Sequence, residues 1–247
     1  GSDYVSSTGT ITFAPGETSK IITVAVLDDN VFENPESMYV NLLNPTNSTI
    51  ADAQGEGRIL DNADKPSLSV STTEVVEGGY AVFNIQLSNP STEDVTFDLT
   101  PKEGTATQDD YSSIVEVSYD GGVTWTPASE AIIPAGKTQI LARVQTTQDD
   151  IDELVEKFTL TADITSGNTT NVSSTGTASI LDNDGEPQIV ISDSSVNEED
   201  GLLTFVVSLS NPSSNVVTVN YVTADGTAIA GSDYVSSTGT ITFAPGE

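Results

Sequence analysis

The chemically distinctive side chains of this sequence are carboxylates, and they gather in a few short segments. The run QDDIDELVE at residues 148–156 holds five acids in nine positions, and the run DDNVFENPE at residues 28–36 holds four. Further acids stand at Glu77, at Asp109 and Asp110 just before a tyrosine, and at Asp182 and Asp184. Several carboxylates that meet in space repel one another unless a cation neutralises them, so this pattern favours cation binding.

The remaining composition narrows the kind of cation. The chain contains no histidine and no cysteine, which excludes imidazole bases, thiol nucleophiles and soft-metal sites. Oxygen ligands alone specify a hard cation, and several carboxylates on flexible loops suit Ca²⁺ better than Mg²⁺. The alternative is that these acids are solvated loop tips that hold no ion.

Short strands must position these acids. Ile22, Val24 and Val26 alternate with smaller or polar residues, and similar alternation recurs near residues 38–42, 205–209 and 217–221. A period of two gives each strand one buried and one exposed face, and turns such as Asn44-Pro45 and Asn89-Pro90 separate the runs. The sequence therefore predicts an all-β protein built from antiparallel, immunoglobulin-like sandwiches, in which alternate loops emerge at one end.

Internal repetition sets the domain organisation. The first seventeen residues, GSDYVSSTGTITFAPGE, recur unchanged at residues 231–247. ILDNAD at residues 59–64 and ILDND at residues 180–184 each close a unit, and a proline opens the next one. We therefore predict one complete unit at residues 66–185, the C-terminal half of a unit at residues 1–65, and the N-terminal half of a unit at residues 186–247, all from a longer tandem array.

The complete unit carries an insertion near residues 117–128, where Asp120-Gly121-Gly122 predicts a hairpin turn. This insertion holds Trp125, the one tryptophan of the chain. An aromatic side chain on a hairpin can serve as a sugar platform, but it more often packs against its own domain. Both interpretations of Trp125 stay open at this point.

The overall charge excludes some partners. Thirty-seven acidic and seven basic residues give a formal net charge of −30, which disfavours nucleic acid and anionic membranes. No segment is apolar and long enough to insert into a membrane. Solubility alone is an alternative explanation of the charge. Paired carboxylates also serve glycoside hydrolysis, but such an enzyme needs an apolar, aromatic cleft that nothing in the sequence supplies, so we expect no enzyme.

The acidic segments and their surroundings resemble a known family. The residues DGTAIAGSDYVSSTGTITFAPGE at the end of the chain, joined to TSKIITVAVLDDNVFENPE near its start, look like the Calx-β motif, and so does the closing ILDND. The resemblance covers essentially the whole chain. It implies seven-stranded, immunoglobulin-like sandwiches that bind Ca²⁺. Calx-β domains occur in sodium–calcium exchangers, in an integrin cytoplasmic region and in large repetitive bacterial surface proteins, including RTX-adhesin-like ones.

The resemblance also implies a ligand set. In the complete unit the implied ligands are Glu77, Asp110, Asp149, Glu153, Asp182 and Asp184. In the complete unit Gln148 replaces the acid found at Asp28, and Asp150 and Asp152 are candidates to compensate. The half-units supply Asp3, Asp28, Asp29, Glu33, Asp61 and Asp64, together with Glu198 and Asp233. With fewer acids at the closing strand than calcium-rich members have, we expect one or two ions per unit.

Two functions follow from these patterns. The first is a calcium-stabilised extender, a repeat segment that gives reach and stiffness to a long, secreted bacterial adhesin or surface filament outside the cell. The alternative is a regulatory calcium-sensor domain pair of a membrane transporter or receptor. In either case the expected partners are calcium ions and neighbouring repeats, and we expect the last half-unit of one chain to complete the first half-unit of the next, head to tail.

Overall fold

The computed structural model describes residues 3–62 and 64–247, and it confirms the all-β prediction. Its helical content in those residues is a single 3₁₀ turn, Glu198–Asp200. The described part of the chain contains no helix that could span a membrane. The strands are β1 (Glu36–Asn41), β2 (Gln54–Ile59), β3 (Leu68–Val70), β4 (Thr73–Val76), β5 (Tyr80–Leu87), β6 (Val95–Glu103), β7 (Tyr111–Ser118), β8 (Thr126–Pro127), β9 (Glu130–Ile133), β10 (Gln139–Thr146), β11 (Glu156–Ser166), β12 (Ser173–Leu181), β13 (Ile189–Ile191), β14 (Val207–Leu209), β15 (Val217–Val222) and β16 (Thr238–Phe243).

Strands β3 to β12 form two five-stranded sheets, which we call the central sandwich. One sheet has the order β3-β5-β10-β7-β8 and the other β4-β12-β11-β6-β9. All neighbours are antiparallel except β4 and β12, which run parallel. Because β3 and β4 are consecutive but lie in different sheets, the chain crosses from one sheet to the other near Ser71, and this crossing ties the two edges together.

The core of the central sandwich follows from the alternation of its strands. In β5 every second side chain, from Ala81 to Leu87, is buried. The ring of Tyr111 stacks on Phe158 with centroids 4.2 Å apart, and Phe83 meets Phe158 edge-on at 6.1 Å. Fully buried aromatic rings contribute much of the free energy that holds two such sheets together.

The hairpin insertion packs against its own sheet. Asp120 accepts hydrogen bonds from the side chains of Ser118 and Thr124, between β7 and β8. The guanidinium of Arg143 lies between two rings, 3.8 Å from the centroid of Tyr80 and 4.3 Å from that of Trp125. Trp125 is thus engaged within the sandwich, which favours the packing interpretation of this residue over the sugar platform.

The flanking parts of the chain form only small sheets. Residues 3–62, the first segment, contain the pair β1-β2, and residues 186–247, the last segment, contain the pairs β13-β14 and β15-β16. Apart from Phe32, their large apolar side chains stay at least partly open to solvent: Ile21 is 89% exposed and Leu202 is 82% exposed. The alternating residues 22–26 form no strand beyond a bridge between Tyr4 and Val26. By sequence, residues 22–26 correspond to β10 of the central sandwich, which pairs with β5 on one side and with β7 on the other. The first segment does not offer both of these partner strands, so residues 22–26 do not form a paired strand.

Candidate metal centre

The structure gathers the acids of the central sandwich into two groups, and those of the first segment into a third. In each group, one carboxylate oxygen per residue lies within 4.8 Å of the others. We name them the Glu77 site (Glu77, Asp149, Asp184), the Glu156 site (Asp110, Glu153, Glu156) and the Glu36 site (Asp3, Glu33, Glu36).

Glu77 is placed by the tight turn between β4 and β5. Its amide donates to the carbonyl of Leu181 at 3.0 Å, which fixes the turn against the end of β12. The following Gly78 has a φ of 74°, and a Cβ there would lie 2.9 Å from Oε1 of Gln148. Only glycine fits that backbone and that close approach without strain, so the turn can bring Glu77 directly beside the acidic loop at residues 148–156.

Gln148 takes the position of Asp28 in the first segment, and the structure shows what the exchange does. Nε2 of Gln148 donates to Oε1 of Glu77 at 2.7 Å, while Oε1 of Gln148 accepts from Asn183 at 2.9 Å. In the first segment Asp28 likewise accepts from an asparagine, Asn62, at 2.8 Å. The side-chain amide of Gln148 therefore keeps the hydrogen bond to the asparagine that follows β12. It also donates a hydrogen bond to Glu77, which partly offsets the clustered negative charge.

The electrostatics of the Glu77 site point to a missing positive charge. Glu77 is only 7% exposed, and burial, followed by a hydrogen bond with Asp184 and the charges of Asp184, Asp182 and Asp149, raises the pKa of Glu77 to about 7. Oδ2 of Asp184 is buried with no hydrogen-bond partner among the described residues. A buried carboxylate oxygen without a donor is costly, and a bound cation would satisfy it.

The Glu156 site lies at the start of β11. Asp110 is held by Thr107, whose amide and hydroxyl donate to Oδ2 at 2.6 Å and 3.0 Å. Burial, followed by the charge of Asp110 and a hydrogen bond with it, raises the pKa of Glu156 to about 7. Burial and the charge of Asp110, followed by those of Asp149, Asp182 and Asp184, also raise the pKa of Glu153, so the two sites act on each other.

The Glu36 site repeats this arrangement at the start of β1. A hydrogen bond with Asp3, then the charge of Asp3, raises the pKa of Glu36. Burial, then the charges of Asp3 and Asp29, raises the pKa of Glu33. A cleft of about 320 Å³ opens beside these residues, and Asp28 and Asp61 also line it.

Other residues in the implied ligand set lie around these groups. Asp182 adds its charge to both central sites, and its Oδ1 accepts from the amide of Asp184 at 3.3 Å. Asp29 accepts from the amide of Val31 at 2.8 Å. Asp61 accepts from the amide of Asp64 at 3.2 Å.

Four further implied ligands are likewise outside the three groups. Asp150 is exposed, and Asp152 bonds to the last segment instead. Glu198 is exposed on the 3₁₀ turn, and Asp233 accepts from the amide of Ile229 at 2.8 Å. Glu198 and Asp233 belong to the last segment, which lacks strands equivalent to β11 and β12, so no acidic loop faces them.

Glu36 and Glu156 were not selected from the sequence, although each completes a site. The signal was present, because both acidic runs end in a glutamate three positions after Glu33 or Glu153, and an alternating segment begins there. In the structure these glutamates are the first residues of β1 and β11, so strand pairing fixes their backbone beside the acidic loop.

The comparison with protein families decides the class of this chain. A family model described as the Calx-beta domain matches residues 1–63, 61–186 and 182–247. The chain belongs to the Calx-beta family. Membership in this family, together with all-oxygen acidic groups that fit a hard cation, confirms Ca²⁺ as the predicted cofactor.

Curated relatives are much longer than this Calx-beta chain. Sodium/calcium exchanger 2 from Rattus norvegicus is 47% identical over 55 residues, which are 22% of this chain and 6% of that protein. Sodium/calcium exchanger 1 from Bos taurus is 34% identical over 96 residues, which are 39% of this chain and 8% of that protein. The chain thus matches only a small part of either exchanger.

Two solved structures are among those similar to this chain. The calcium binding domain CBD12 of CALX1.1 covers 73% of this chain and 71% of its own length, with 17% identity and a TM-score of 0.38. CBD12 from CALX1.2 covers 73% and 72%, with 14% identity and a TM-score of 0.36.

Proposed function

We propose that this chain is a calcium-responsive tandem module without catalytic activity, in which Ca²⁺ at the ends of its units regulates how neighbouring units are arranged. One observation carries the proposal. The loop at residues 148–156 supplies Asp149 to the Glu77 site and Glu153 to the Glu156 site, and between them Asp152 bonds to the last segment. A cation that orders this loop must also order the contact beside it.

The physical basis is neutralisation. Without Ca²⁺ the groups hold three carboxylates each, and their repulsion is relieved only by protonation or by loop movement. Ca²⁺ accepts several carboxylates in variable geometry, so it can bridge oxygens from three separate loops. Regulation of this type agrees with the sodium/calcium exchangers among the relatives, and it corresponds to the sensor alternative drawn from the sequence.

Calcium-dependent stability tests this proposal. At about a hundred times Kd, each independent site that binds only the native state adds roughly 2.7 kcal/mol of stability. We therefore expect a higher melting temperature in millimolar Ca²⁺ than in chelator, and a smaller rise with Mg²⁺, which gives up its water reluctantly. Identical melting curves in Ca²⁺ and in chelator would rule out the proposal.

A second function has its own support. The seventeen residues repeated without change favour an array of many near-identical units, as in the extender of a secreted bacterial adhesin at the cell surface. Affinity separates the two functions. Intracellular sensors bind Ca²⁺ with Kd of about 10⁻⁷ to 10⁻⁵ M, whereas extracellular modules bind with about 10⁻⁴ to 10⁻³ M. Calorimetric titration of the chain measures this directly.

Pairing between neighbouring repeats is part of the proposal. Residues 8–13 and residues 238–243 have the same sequence, yet only the second copy forms a strand, β16, because β15 lies beside it. The first copy has no such partner in the described structure. This difference supports head-to-tail completion of the first segment of one chain by the last segment of another.

A further inference from the structure

The central sandwich contacts the first segment at one junction and the last segment at a second junction, and the same pattern of contacts occurs at both. At the first junction Phe32 forms a parallel bridge with Ser91, and at the second Asp152 forms a parallel bridge with Ser213. Phe32 and Asp152 hold the same position, one residue before the glutamate, in the two acidic runs. Each serine follows an Asn-Pro pair that begins a turn in the next part of the chain.

The backbone bonds of the two junctions are the same. The amide of Phe32 donates to the carbonyl of Pro90 at 2.9 Å, and the amide of Thr92 donates to the carbonyl of Phe32 at 2.9 Å. At the second junction the amide of Asp152 donates to Pro212 at 3.0 Å, and that of Ser214 donates to Asp152 at 2.9 Å.

The linkers are held alike as well. The side chain of Asn89 donates to the carbonyl of Asp64, and that of Asn211 donates to the carbonyl of Gly185 at 2.9 Å. The Asn-Pro-Ser turn is therefore a docking element that binds both the acidic loop and the linker of the preceding part.

The side chains of the two junctions differ in kind. Phe32 is only 6% exposed, and outside residues 66–180 it is the one described hydrophobic side chain that is buried. The ammonium of Lys65 lies 5.9 Å from its ring centroid. Asn34 adds a hydrogen bond of 2.6 Å across the junction, to Oε1 of Glu93. The first junction is thus apolar and anchored by additional contacts.

The second junction has a carboxylate in place of the ring. Oδ2 of Asp152 accepts from the hydroxyl of Ser213 at 3.0 Å. In the linker sequence, Glu186 replaces Lys65, so a second negative charge stands where the first junction has a positive one. Leu154, in the position of Asn34, stays 71% exposed. When the contact opens, water hydrates the Asp152 carboxylate and replaces its hydrogen bond, whereas an exposed phenylalanine ring loses the free energy of burial. The carboxylate therefore stabilises the closed junction less than a buried ring does.

We propose that the chain alternates two kinds of junction, a locked junction anchored by Phe32 and a hinge at Asp152, with the Asn-Pro-Ser turn as the shared docking surface. Bending of the array then concentrates at every second junction. The proposal concerns the docking contact and would stand even if the chain bound no cation.

Spin-label distance measurements on the whole chain test this proposal. The chain has no cysteine, so cysteine pairs at Ser37 and Asp98 across the first junction, and at the matching positions Lys157 and Asn220 across the second, can be labelled selectively. In millimolar Ca²⁺ we expect a narrow distance distribution at the first junction and a broad one at the second. Equal widths would overturn the proposal.

Exchange of the anchoring side chain supplies the decisive variants. Asp152→Phe is expected to narrow the second distribution, shifting the ratio of docked to open forms by roughly tenfold or more, as full burial of a phenylalanine allows. Phe32→Asp is expected to broaden the first, while Phe32→Leu largely preserves it. If Asp152→Phe leaves the second distribution unchanged, or if the control Leu154→Phe on the same loop narrows it equally, position 152 does not set the hinge.

Discussion

At the scale of single residues, the protein keeps buried and half-buried carboxylates, such as Glu77 and Glu156, whose charge is not balanced by basic side chains. Glu77 and Glu156 both have a pKa raised to about 7, and burial is the largest cause for each. Ca²⁺ at the proposed sites would therefore compete with protons for these oxygens. The native state without Ca²⁺ must bind more protons near neutral pH than the unfolded chain does.

This competition predicts how stability depends on pH. The pKa of each glutamate is near 7 when folded and at an ordinary value of 4.5 when unfolded, so in chelator its stabilising contribution is complete below about pH 4.5 and is lost as pH rises through 7. We expect the melting temperature in chelator to fall between pH 5 and pH 8. In saturating Ca²⁺ we expect it to rise or stay level over that range, since the ion needs ionised ligands. Calorimetric melting at both conditions provides the check, and parallel curves would contradict it.

Single substitutions should separate the two central sites. Asp184→Asn removes a carboxylate from the Glu77 site, and Glu156→Gln removes one from the Glu156 site, with little change in side-chain volume. Each is expected to reduce the number of bound Ca²⁺ ions by about one, as measured by calorimetric titration, because the remaining two carboxylates bind Ca²⁺ more weakly. Asp150→Asn, at an exposed acid outside the three groups, is the matched control and should leave the number unchanged. A loss in the control would place the ligands elsewhere.

At the scale of elements, the loop at residues 148–156 and the strand β11 act together. The loop supplies Asp149 to the Glu77 site, Glu153 to the Glu156 site and Asp152 to the second junction, while Glu156 begins the strand. β11 carries Phe158, which stacks on Tyr111, the neighbour of Asp110 in the Glu156 site. The sites are therefore anchored to the core at both ends, and the loop between these anchors is the part free to respond to the ion.

Hydrogen exchange should detect this response. If Ca²⁺ orders the loop as proposed, the amides of Asp152 and Ser214, which form the bridge to the last segment, should exchange more slowly with Ca²⁺ than with chelator. Amides in the centre of β5, buried in the sandwich, should exchange at the same rate in both. Mass spectrometry of exchanged peptides measures both sets in one experiment. Slower exchange in the loop at residues 148–156, with no slowing at residues 212–214, would show that Ca²⁺ binding does not stabilise the junction.

At the scale of the whole molecule, the first and last segments leave complementary strand edges unpaired in the described structure. In the central sandwich β11 lies between β12 and β6. By sequence β1 and β2 correspond to β11 and β12, and β15 corresponds to β6. In the described structure β1 has β2 on one side and no strand on the other, and β15 has only β16. The free edges are those that would pair in a full unit.

The register of the central sandwich makes this pairing testable. Thr161 of β11 pairs with Thr100 of β6, and the corresponding residues are Asn41 in β1 and Val222 in β15. A chain with cysteines at Asn41 and Val222 should form disulfide-linked chains between molecules under mild oxidation, since head-to-tail contacts do not close. Cysteines at Ser37 and Val222, four positions out of register, are the control. A monomer by light scattering, or equal crosslinking in both variants, would exclude this pairing.

The sequence by itself determined the class of fold and the type of ligand. Alternating side chains specify strands because one face of each must be buried, and acids without histidine or cysteine specify a hard cation. The tertiary structure decided how the acids group. It brought Glu156 into a site, joined Glu77 to Asp149 across the sheets, and assigned Asp152 to a junction, because which loop ends meet depends on the order of strands. It also decided which of two identical segments is a strand. Residues 238–243 pair with β15, whereas residues 8–13 have the same sequence but form no strand, because a strand needs a neighbour to pair with.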